Sequence, residues 1–181
     1  MSRIAIPARE AAPAGSKPLL DAVAKQLGTV PNLFRLIGLS PAALEGYVGL
    51  SGALSKTLDV KTRERIALAV AEANGCDYCL SAHSYLGLNL AKLGQAEIDL
   101  NRAGQSSDPK AAAAVRFAAK VALTHGQVSD ADLAAVRNVG YSDGEIVEIV
   151  AHVALNVLTN FVNNVAETDI DFPVVRKAKA A

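Results

Sequence analysis

Apolar residues recur along this chain at the three- and four-residue spacing of α-helices, and no segment alternates convincingly as a β-strand does. One apolar stripe follows Ser40-Pro41, a pair typical of a helix start. The first stripe consists of Leu44, Tyr47, Val48, Leu50 and Leu54, and a second consists of Ile66, Ala67, Val70 and Ala71. The pattern predicts an all-α fold class.

Capping residues delimit about eight helices joined by short turns. Asp108-Pro109 and the capping box Ser142-Asp143-Gly144-Glu145 each mark a helix start. Gly140 and the pair Asn74-Gly75 mark helix ends, because these residue types tolerate a left-handed backbone. We therefore expect one domain over residues 1–181, a bundle of packed αα-hairpins.

Both ends of the chain are predicted to lie outside this bundle. Pro7 and Pro13 disfavour helix in residues 1–16, which we expect to form an extended arm. The chain is expected to be extended again from Glu167 onward. Residues 174–181 are rich in Lys, Arg and Ala and are expected to fray.

The last predicted helix, 145–165, is apolar nearly all around its circumference. Such a helix is either central to the core or buried between subunits. Aromatic residues make up only 4% of the chain, so packing must rely on Ala and Leu. Both features predict a homo-oligomer. A polar seam on this helix requires partners at a subunit interface or a helix end, and it consists of Asn156, Asn160, Asn163 and Asn164.

Charge and composition narrow the function classes. The 18 Lys and Arg residues balance the 18 Asp and Glu residues, which gives no electrostatic reason to expect nucleic acid. No uninterrupted apolar run has the length of a membrane span, and the N-terminus lacks the apolar core of a signal peptide. We expect a cytoplasmic protein that binds neither nucleic acid nor membrane.

The two cysteines and a histidine share one helical face. Cys76, Cys79 and His83 are three and then four positions apart. The preceding Asn74-Gly75 places the cysteines in the first turn of a new helix, where free backbone N–H groups and the helix dipole stabilise a thiolate. This position favours a redox-active dithiol.

Two other roles for this pair stay open. They could be buried structural cysteines in an Ala-rich core. They could also bind zinc with His83, which would need a fourth ligand. Candidates for that ligand are Glu64, Asp77, His125 and His152. Redox chemistry is favoured over both, and we expect no metal and no cofactor.

Glu64 is a candidate partner of His83. It lies twelve residues before Cys76 on the preceding predicted helix. If the two helices form an antiparallel pair, the start of the first faces the far end of the second, where His83 lies. Taken alone, Glu64 is more typical of a first-turn glutamate that pairs with Arg63 or Lys61.

The spacing Glu-(eleven residues)-Cys-x-x-Cys-x-x-x-His, from Glu64 to His83, resembles the AhpD-like alkylhydroperoxidases of the carboxymuconolactone decarboxylase superfamily. Residues 62–71 are also similar to that group, and residues 156–163 resemble the closing helix of its peroxidase-related members. The resemblance covers about 40–173. It implies an all-helical fold, assembly into trimers or hexamers, and reduction of alkyl hydroperoxides.

The same resemblance implies roles for the site residues. Cys79 is the attacking thiolate, which becomes a sulfenic acid, and Cys76 resolves it to a disulfide. Glu64 and His83 move the proton, through a water. The best-known member has a histidine where this chain has Tyr78, so Tyr78 is expected to bind substrate by donating a hydrogen bond to peroxide or sulfenate. The implied reductant is a dithiol, such as a lipoyl-bearing protein.

Alternative functions follow from the same features. One is a non-catalytic oligomeric redox sensor or binding protein that keeps the dithiol, and another is a carboxymuconolactone-decarboxylase-type enzyme. Among the remaining residues, His125 is expected to cap a helix end and His152 to be a core or interface histidine. Tyr47 and Tyr85 are candidates for a pocket wall, although core packing is their more typical role.

Overall fold

Side-chain caps start most of the nine α-helices in the computed structural model, which describes residues 2–178. Ser40, Asp59 and Asp108 each accept a hydrogen bond from the backbone N–H group three residues on. Ser129 and Ser142 form complete capping boxes. No β-strand occurs in the described residues, and the all-α prediction is confirmed. The helices are α1 (Lys17–Leu27), α2 (Asn32–Ile37), α3 (Pro41–Leu54), α4 (Val60–Ala73), α5 (Asp77–Asn89), α6 (Gln95–Arg102), α7 (Pro109–Leu123), α8 (Asp130–Asn138) and α9 (Asp143–Ala166).

Helix α4 is the centre of the bundle and packs against α5, α6, α7 and α9. Its residues Ile66 and Val70 are fully buried in the core formed with α7, α8 and α9. Leu68 packs with Ile98 of α6, and Ala71 belongs to the apolar cluster that contains both cysteines. Burial of each large aliphatic side chain contributes about 1.5–3 kcal/mol. The helix that carries Glu64 is therefore held by core packing on several sides.

The turn between α4 and α5 is a Schellman motif. Gly75 adopts a left-handed backbone with φ +61, whereas Asn74 remains right-handed. The Gly75 N–H group donates to the carbonyl of Glu72, and the Cys76 N–H group donates to the carbonyl of Ala71. Cys76 therefore closes one helix and starts the next, so the turn fixes its position between α4 and α5.

Helix α9 is polar on part of its buried side and apolar on part of its exposed side. By length and composition it could cross a membrane, but it packs against α3, α4, α5 and α7 as a core helix does. His152, Asn156, Asn160 and Asn163 are buried. Large apolar side chains on the opposite side are exposed, namely Val147, Val150, Leu158, Phe161 and Val165.

The N-terminal arm is less extended than expected. Single 3₁₀ turns at Arg9–Ala11 and Ala14–Ser16 interrupt it, and the second follows directly after Pro13. Proline disfavours helix interiors but fits turns, because its ring fixes φ and removes one N–H group. The backbone N–H group of Arg3 also donates to the carbonyl of Ala166, which ties the arm to the end of α9.

The tail after α9 runs extended along α5, as expected, but residues 174–178 are anchored rather than frayed. Val175 N–H donates to Ser81 Oγ at 2.9 Å. Asp77 accepts from the Arg176 guanidinium and from the Lys177 N–H group. These contacts satisfy polar groups at the start of α5. The Lys/Arg/Ala composition of the tail did not reveal this anchoring. Residues 179–181 lie outside the described residues.

Candidate active site

The first turn of α5 holds the two cysteines as free, buried thiols. Cys76 is the N-cap, and its Sγ accepts a hydrogen bond from the Cys79 backbone N–H group at 3.2 Å. Exposure is 0% for Cys76 and 3% for Cys79. The expectation that the dithiol lies at a helix start is confirmed. The free N–H groups and dipole of this turn are available to a negative sulfur.

Glu64 and His83 meet across the antiparallel pair of α4 and α5. Glu64 Oε2 lies 2.8 Å from His83 Nδ1, and the Glu64 side chain is nearly buried. The alternative partner Arg63 instead donates to the backbone carbonyls of Ser55 and Leu58. The helix-pair argument thus predicted the contact correctly, while the roles of both residues stay predictions.

The environment separates the two thiols in acidity. Burial opposes ionisation of Cys79, but hydrogen bonding from Cys76, the charge of His83 and the amides of Asn163 and Asn160 outweigh it and lower the pKa of Cys79 to about 7. Hydrogen bonding to Cys79, together with burial, raises the pKa of Cys76. Cys79 is therefore the thiol that ionises first.

The Glu64 carboxylate also acts on the histidine. Burial disfavours the imidazolium, but the charge of Glu64, its hydrogen bond and the nearby Cys79 outweigh this and raise the pKa of His83. An imidazolium next to a thiolate is an arrangement that can deliver a proton to a leaving group.

Two amides of α9 complete the surroundings of Cys79. Asn163 Nδ2 donates to Cys79 Sγ at 3.3 Å. Asn160 accepts a hydrogen bond from Asn74 Nδ2 at 2.9 Å, and Asn164 donates to the Asn74 carbonyl. The sequence showed that this polar seam needs partners, and the helix-end contact is confirmed. Its contact with the dithiol was missed, because no spacing along the chain relates α9 to α5.

Tyr78 does not face the reacting sulfur as a free donor. Its hydroxyl donates to Asp171 Oδ1 at 2.8 Å and accepts from the Leu33 N–H group at 3.1 Å. The single hydroxyl proton is thus already used, which corrects the expectation that Tyr78 donates to peroxide or sulfenate. The edge of the Phe172 ring packs against the Tyr78 ring. Tyr78 anchors the tail and α2 to the dithiol helix.

The remaining candidate residues differ in how close they lie to the dithiol. Burial and the neighbouring charges of Cys79 and Glu64 raise the pKa of Tyr47, which therefore lies close to the dithiol. Tyr85 is exposed and contacts Phe172 instead. His152 is buried, as expected, and burial lowers its pKa. His125 is exposed with φ +55 just after α7, in agreement with a role at a helix end.

Other parts of the described chain offer less chemistry. Within residues 2–178 no three His, Cys, Asp or Glu side chains are grouped so that they could hold a metal ion. A surface cleft at the first turns of α4, α7 and α9 contains none of the dithiol residues. Its four basic and four acidic side chains balance, and they are Lys56, Lys61, Arg65, Lys110, Asp59, Asp108, Glu145 and Glu148.

Fold and site together define an all-helical protein with a buried dithiol next to a glutamate–histidine pair. Residues 41–122 match the model of the carboxymuconolactone decarboxylase family. The match contains α4, α5 and therefore both cysteines, His83 and Glu64.

Solved structures show the same architecture over nearly the whole chain. An alkylhydroperoxidase AhpD core structure, a peroxidase-related protein from Ralstonia eutropha JMP134, is 27% identical with a TM-score of 0.83, covering 94% of this chain and 92% of that one. A peroxidase-related protein from Silicibacter sp. TM1040 is 22% identical with a TM-score of 0.80, covering 93% and 91%. The fold is therefore that of AhpD-like, peroxidase-related proteins.

Two further comparisons show the range of relatives. The debrominase Bmp8 is 20% identical with a TM-score of 0.74, covering 87% of both chains, and it has also been solved in complex with 2,3,4-tribromopyrrole. A protein from Haemophilus influenzae is 48% identical over 46 residues, which is 24% of this chain. The chain spans 41% of the length of that relative.

Proposed function

We propose that this protein is a thiol-dependent peroxidase that reduces alkyl hydroperoxides through a dithiol–disulfide cycle of Cys76 and Cys79. The observation that carries the proposal is the contrast between the two thiols. Cys79 has a pKa of about 7 next to the Glu64–His83 pair, whereas the pKa of Cys76 is raised. A thiolate near neutral pH with a proton donor beside it suits attack on a peroxide.

The reaction proceeds in two balanced steps. The Cys79 thiolate attacks the terminal oxygen of R–O–OH, so that a sulfur–oxygen bond forms and the oxygen–oxygen bond breaks. The leaving alkoxide takes a proton supplied by His83, which Glu64 keeps charged, and departs as an alcohol. Cys76 then attacks the sulfenic sulfur, and its proton leaves with the hydroxide as water. The peroxide is reduced and the dithiol is oxidised to a disulfide.

A dithiol reductant closes the cycle by thiol–disulfide exchange. The sulfurs are almost inaccessible, with exposures of 0% and 3%. A flat protein surface therefore cannot reach them in this conformation. A dithiol carried on a long, flexible arm fits this geometry best, which supports a lipoyl-bearing protein as the partner. The cycle itself needs no metal or other cofactor.

We further propose that the protein acts in the cytoplasm as a homo-oligomer, a trimer or a hexamer. The exposed apolar side of α9 supports oligomerisation, because monomeric proteins rarely leave contiguous apolar surface of this kind in water. Leu158, Phe161 and Val165 lie along one stripe there. A second copy of this chain is the proposed occupant.

The experiment compares two single-cysteine variants with wild type on an organic hydroperoxide. Cys76→Ser should reduce one equivalent of peroxide and stop at a sulfenic acid on Cys79, which a sulfenic-specific reagent traps. Cys79→Ser, which retains the other thiol as the matched control, should reduce none. A trapped sulfenic acid on Cys76, or full turnover by Cys79→Ser, would reject the assignment.

The same assay separates the alternatives. A redox sensor would form the disulfide once and would not be recycled by lipoyl dithiols. A carboxymuconolactone-decarboxylase-type enzyme would remain active on its lactone substrate after Cys79→Ser. A brominated pyrrole is included as a further substrate, because the debrominase Bmp8 shares this fold.

A further inference from the structure

Two unpartnered amide atoms lie buried beside the reactive sulfur. Among residues 2–178, Asn160 Nδ2 and Asn163 Oδ1 have no hydrogen-bond partner. Asn160 is 0% exposed and Asn163 is 2% exposed. A buried amide without a partner is costly, so such a group in a folded protein calls for an explanation.

The hydrogen bonds of Asn160 and Asn163 determine how the oxygen and nitrogen of each side-chain amide are oriented. Asn163 Nδ2 is occupied by Cys79 Sγ at 3.3 Å, which leaves its oxygen free. Asn160 Oδ1 accepts from Asn74 Nδ2 at 2.9 Å, which leaves its nitrogen free. Hydrogen bonding from the Asn160 amide also lowers the pKa of Cys79, so Asn160 Nδ2 points toward the same sulfur. An amide donor aimed at the sulfur without a close partner, and a free amide acceptor, therefore flank the thiolate.

We propose that Asn160 and Asn163 form an amide subsite that binds the –O–OH group of a hydroperoxide beside Cys79. The hydroxyl of the peroxide donates to Asn163 Oδ1, and the inner oxygen, which becomes the alkoxide, accepts from Asn160 Nδ2. Asn163 Nδ2 meanwhile holds the sulfur. This proposal rests on the proposed function and adds the group that the site recognises.

The subsite acts at the step in which the oxygen–oxygen bond of the peroxide breaks. As the sulfur–oxygen bond forms and the oxygen–oxygen bond breaks, negative charge passes from sulfur to the inner oxygen. An Asn160 N–H group aimed at that oxygen stabilises the charge until the proton from His83 arrives. Neutral amides serve this purpose without competing for the proton, because they do not titrate.

Three variants on α9 test the subsite. Asn163→Leu removes the donor to sulfur and the free acceptor at similar volume. Asn160→Asp keeps the oxygen that accepts from Asn74, removes the amide donor and places a negative charge beside the sulfur. Asn164→Leu is the matched control, since Asn164 is exposed and its side chain donates to the Asn74 carbonyl rather than to the sulfur. Circular dichroism shows whether each variant retains its helices.

The measurements are the Cys79 thiolate titration and the rate constant for peroxide reduction. In a Cys76→Ser background, Asn163→Leu should raise the pKa of Cys79 by about one, and the rate constant near neutral pH should fall about tenfold. Asn160→Asp should raise KM or lower the rate constant about tenfold even at a pH where Cys79 is fully ionised. Asn164→Leu should change neither by more than about twofold.

Each outcome decides the proposal. Unchanged rate constants in Asn160→Asp and Asn163→Leu at full ionisation would overturn the peroxide subsite. If Asn163→Leu does not fold, Asn160→Asp alone decides by the same criterion. If wild type reduces no peroxide at all, both the proposed function and the peroxide subsite fail. The thiolate titration then still reports separately on the contact between Asn163 and the sulfur.

Discussion

At the scale of single residues, the site depends on which groups carry protons near neutral pH. In the proposed reaction, Cys79 is ionised when it attacks, and His83 is protonated so that it can give its proton to the leaving group. Glu64 supports both conditions, because its carboxylate raises the pKa of His83 and the charged imidazole in turn lowers that of Cys79. The two pKa values belong to an interacting pair, so activity reports them together.

Replacing the carboxylate should therefore narrow the pH range of activity. Wild-type kcat/KM should rise with pH through about 7, as Cys79 ionises, and fall at higher pH as His83 loses its proton. Glu64→Gln should lower the pKa of His83 and raise that of Cys79, which moves both limbs inward and reduces the maximum about tenfold or more. A stopped-flow pH profile measures this.

Glu72→Gln is the matched control for that profile. Glu72 lies on the same helix and pairs with Arg102 rather than with His83. Its substitution should leave the shape of the profile unchanged. A wild-type profile in Glu64→Gln would contradict the proton-transfer role of the pair.

Tyr78 should matter for stability rather than for peroxide reduction. Tyr78→Phe removes the acceptor of the Leu33 N–H group and the donor to Asp171. The free energy of unfolding should fall by about 1–3 kcal/mol, while the peroxide rate constant changes by less than about twofold. Urea titration and the peroxide assay measure the two effects, with Tyr85→Phe as the exposed control. A large loss of activity at unchanged stability would restore Tyr78 to the substrate site.

At the scale of elements, the site is an αα-hairpin formed by α4 and α5, and one of its two cysteines, Cys76, lies in the turn between them. The Schellman motif at Gly75 makes Cys76 the N-cap of α5 and sets α4 antiparallel to it. Hairpin, cap and turn were all predictable, because capping residues and helical spacing are local signals. The Glu64–His83 contact followed from them.

Contacts between distant segments were not predictable in the same way. The amides of α9 reach the sulfur across 84 positions of sequence, and Asp171 reaches Tyr78 across 93. Contacts between residues this far apart follow no helical or strand spacing, so the sequence pattern does not reveal them. The tail was expected to fray because its composition is typical of mobile ends, whereas its anchoring depends on where Asp77 and Ser81 lie in the folded protein.

Glu97 should hold α6 and the following loop against α4. Its carboxylate accepts from Arg65 at 2.9 Å and from both Ser106 and Ser107. Burial raises the pKa of Glu97, but hydrogen bonds from Ser106, Ser107 and Asn101 outweigh it and hold this pKa at about 2. Glu97→Gln should lower the free energy of unfolding by about 3 kcal/mol near neutral pH.

The pH dependence of that loss is a sharper test. An unfolded glutamate has a pKa of ~4.3, so the stabilisation by Glu97 is complete above that pH and is lost as the pH falls through about 2. The difference between wild type and Glu97→Gln in urea titrations should shrink over this range. Asp99→Asn, on the exposed side of α6, is the matched control. A difference independent of pH would contradict the ionised Glu97.

At the scale of the whole molecule, the two sides of helix α9 differ in chemistry. The buried side of α9 supplies amides to the dithiol, and its exposed side presents a stripe of large apolar residues. An assembly that covers this stripe would also hold Asn160 and Asn163 in place. In the proposed oligomer, the subunit contact and the geometry of the site would be joined through this one helix.

A charge on this stripe should dissociate the assembly. Phe161→Glu, at a side chain that is 54% exposed, should shift sedimentation from the oligomer to the monomer, because a buried unpaired carboxylate is strongly unfavourable. Leu90→Glu, at an exposed apolar residue outside α9, should leave the assembly intact. A wild-type protein that sediments as a monomer at all concentrations would contradict the proposed homo-oligomer.

The most direct test of the account counts thiols and peroxide in the same sample. Reduced, metal-free wild-type protein is given a limiting organic hydroperoxide, and free thiols, residual peroxide and disulfide linkage are measured after quenching. The proposed dithiol cycle predicts that two thiols disappear for each peroxide consumed and that the product is a Cys76–Cys79 disulfide. Unconsumed peroxide with both thiols intact would contradict it.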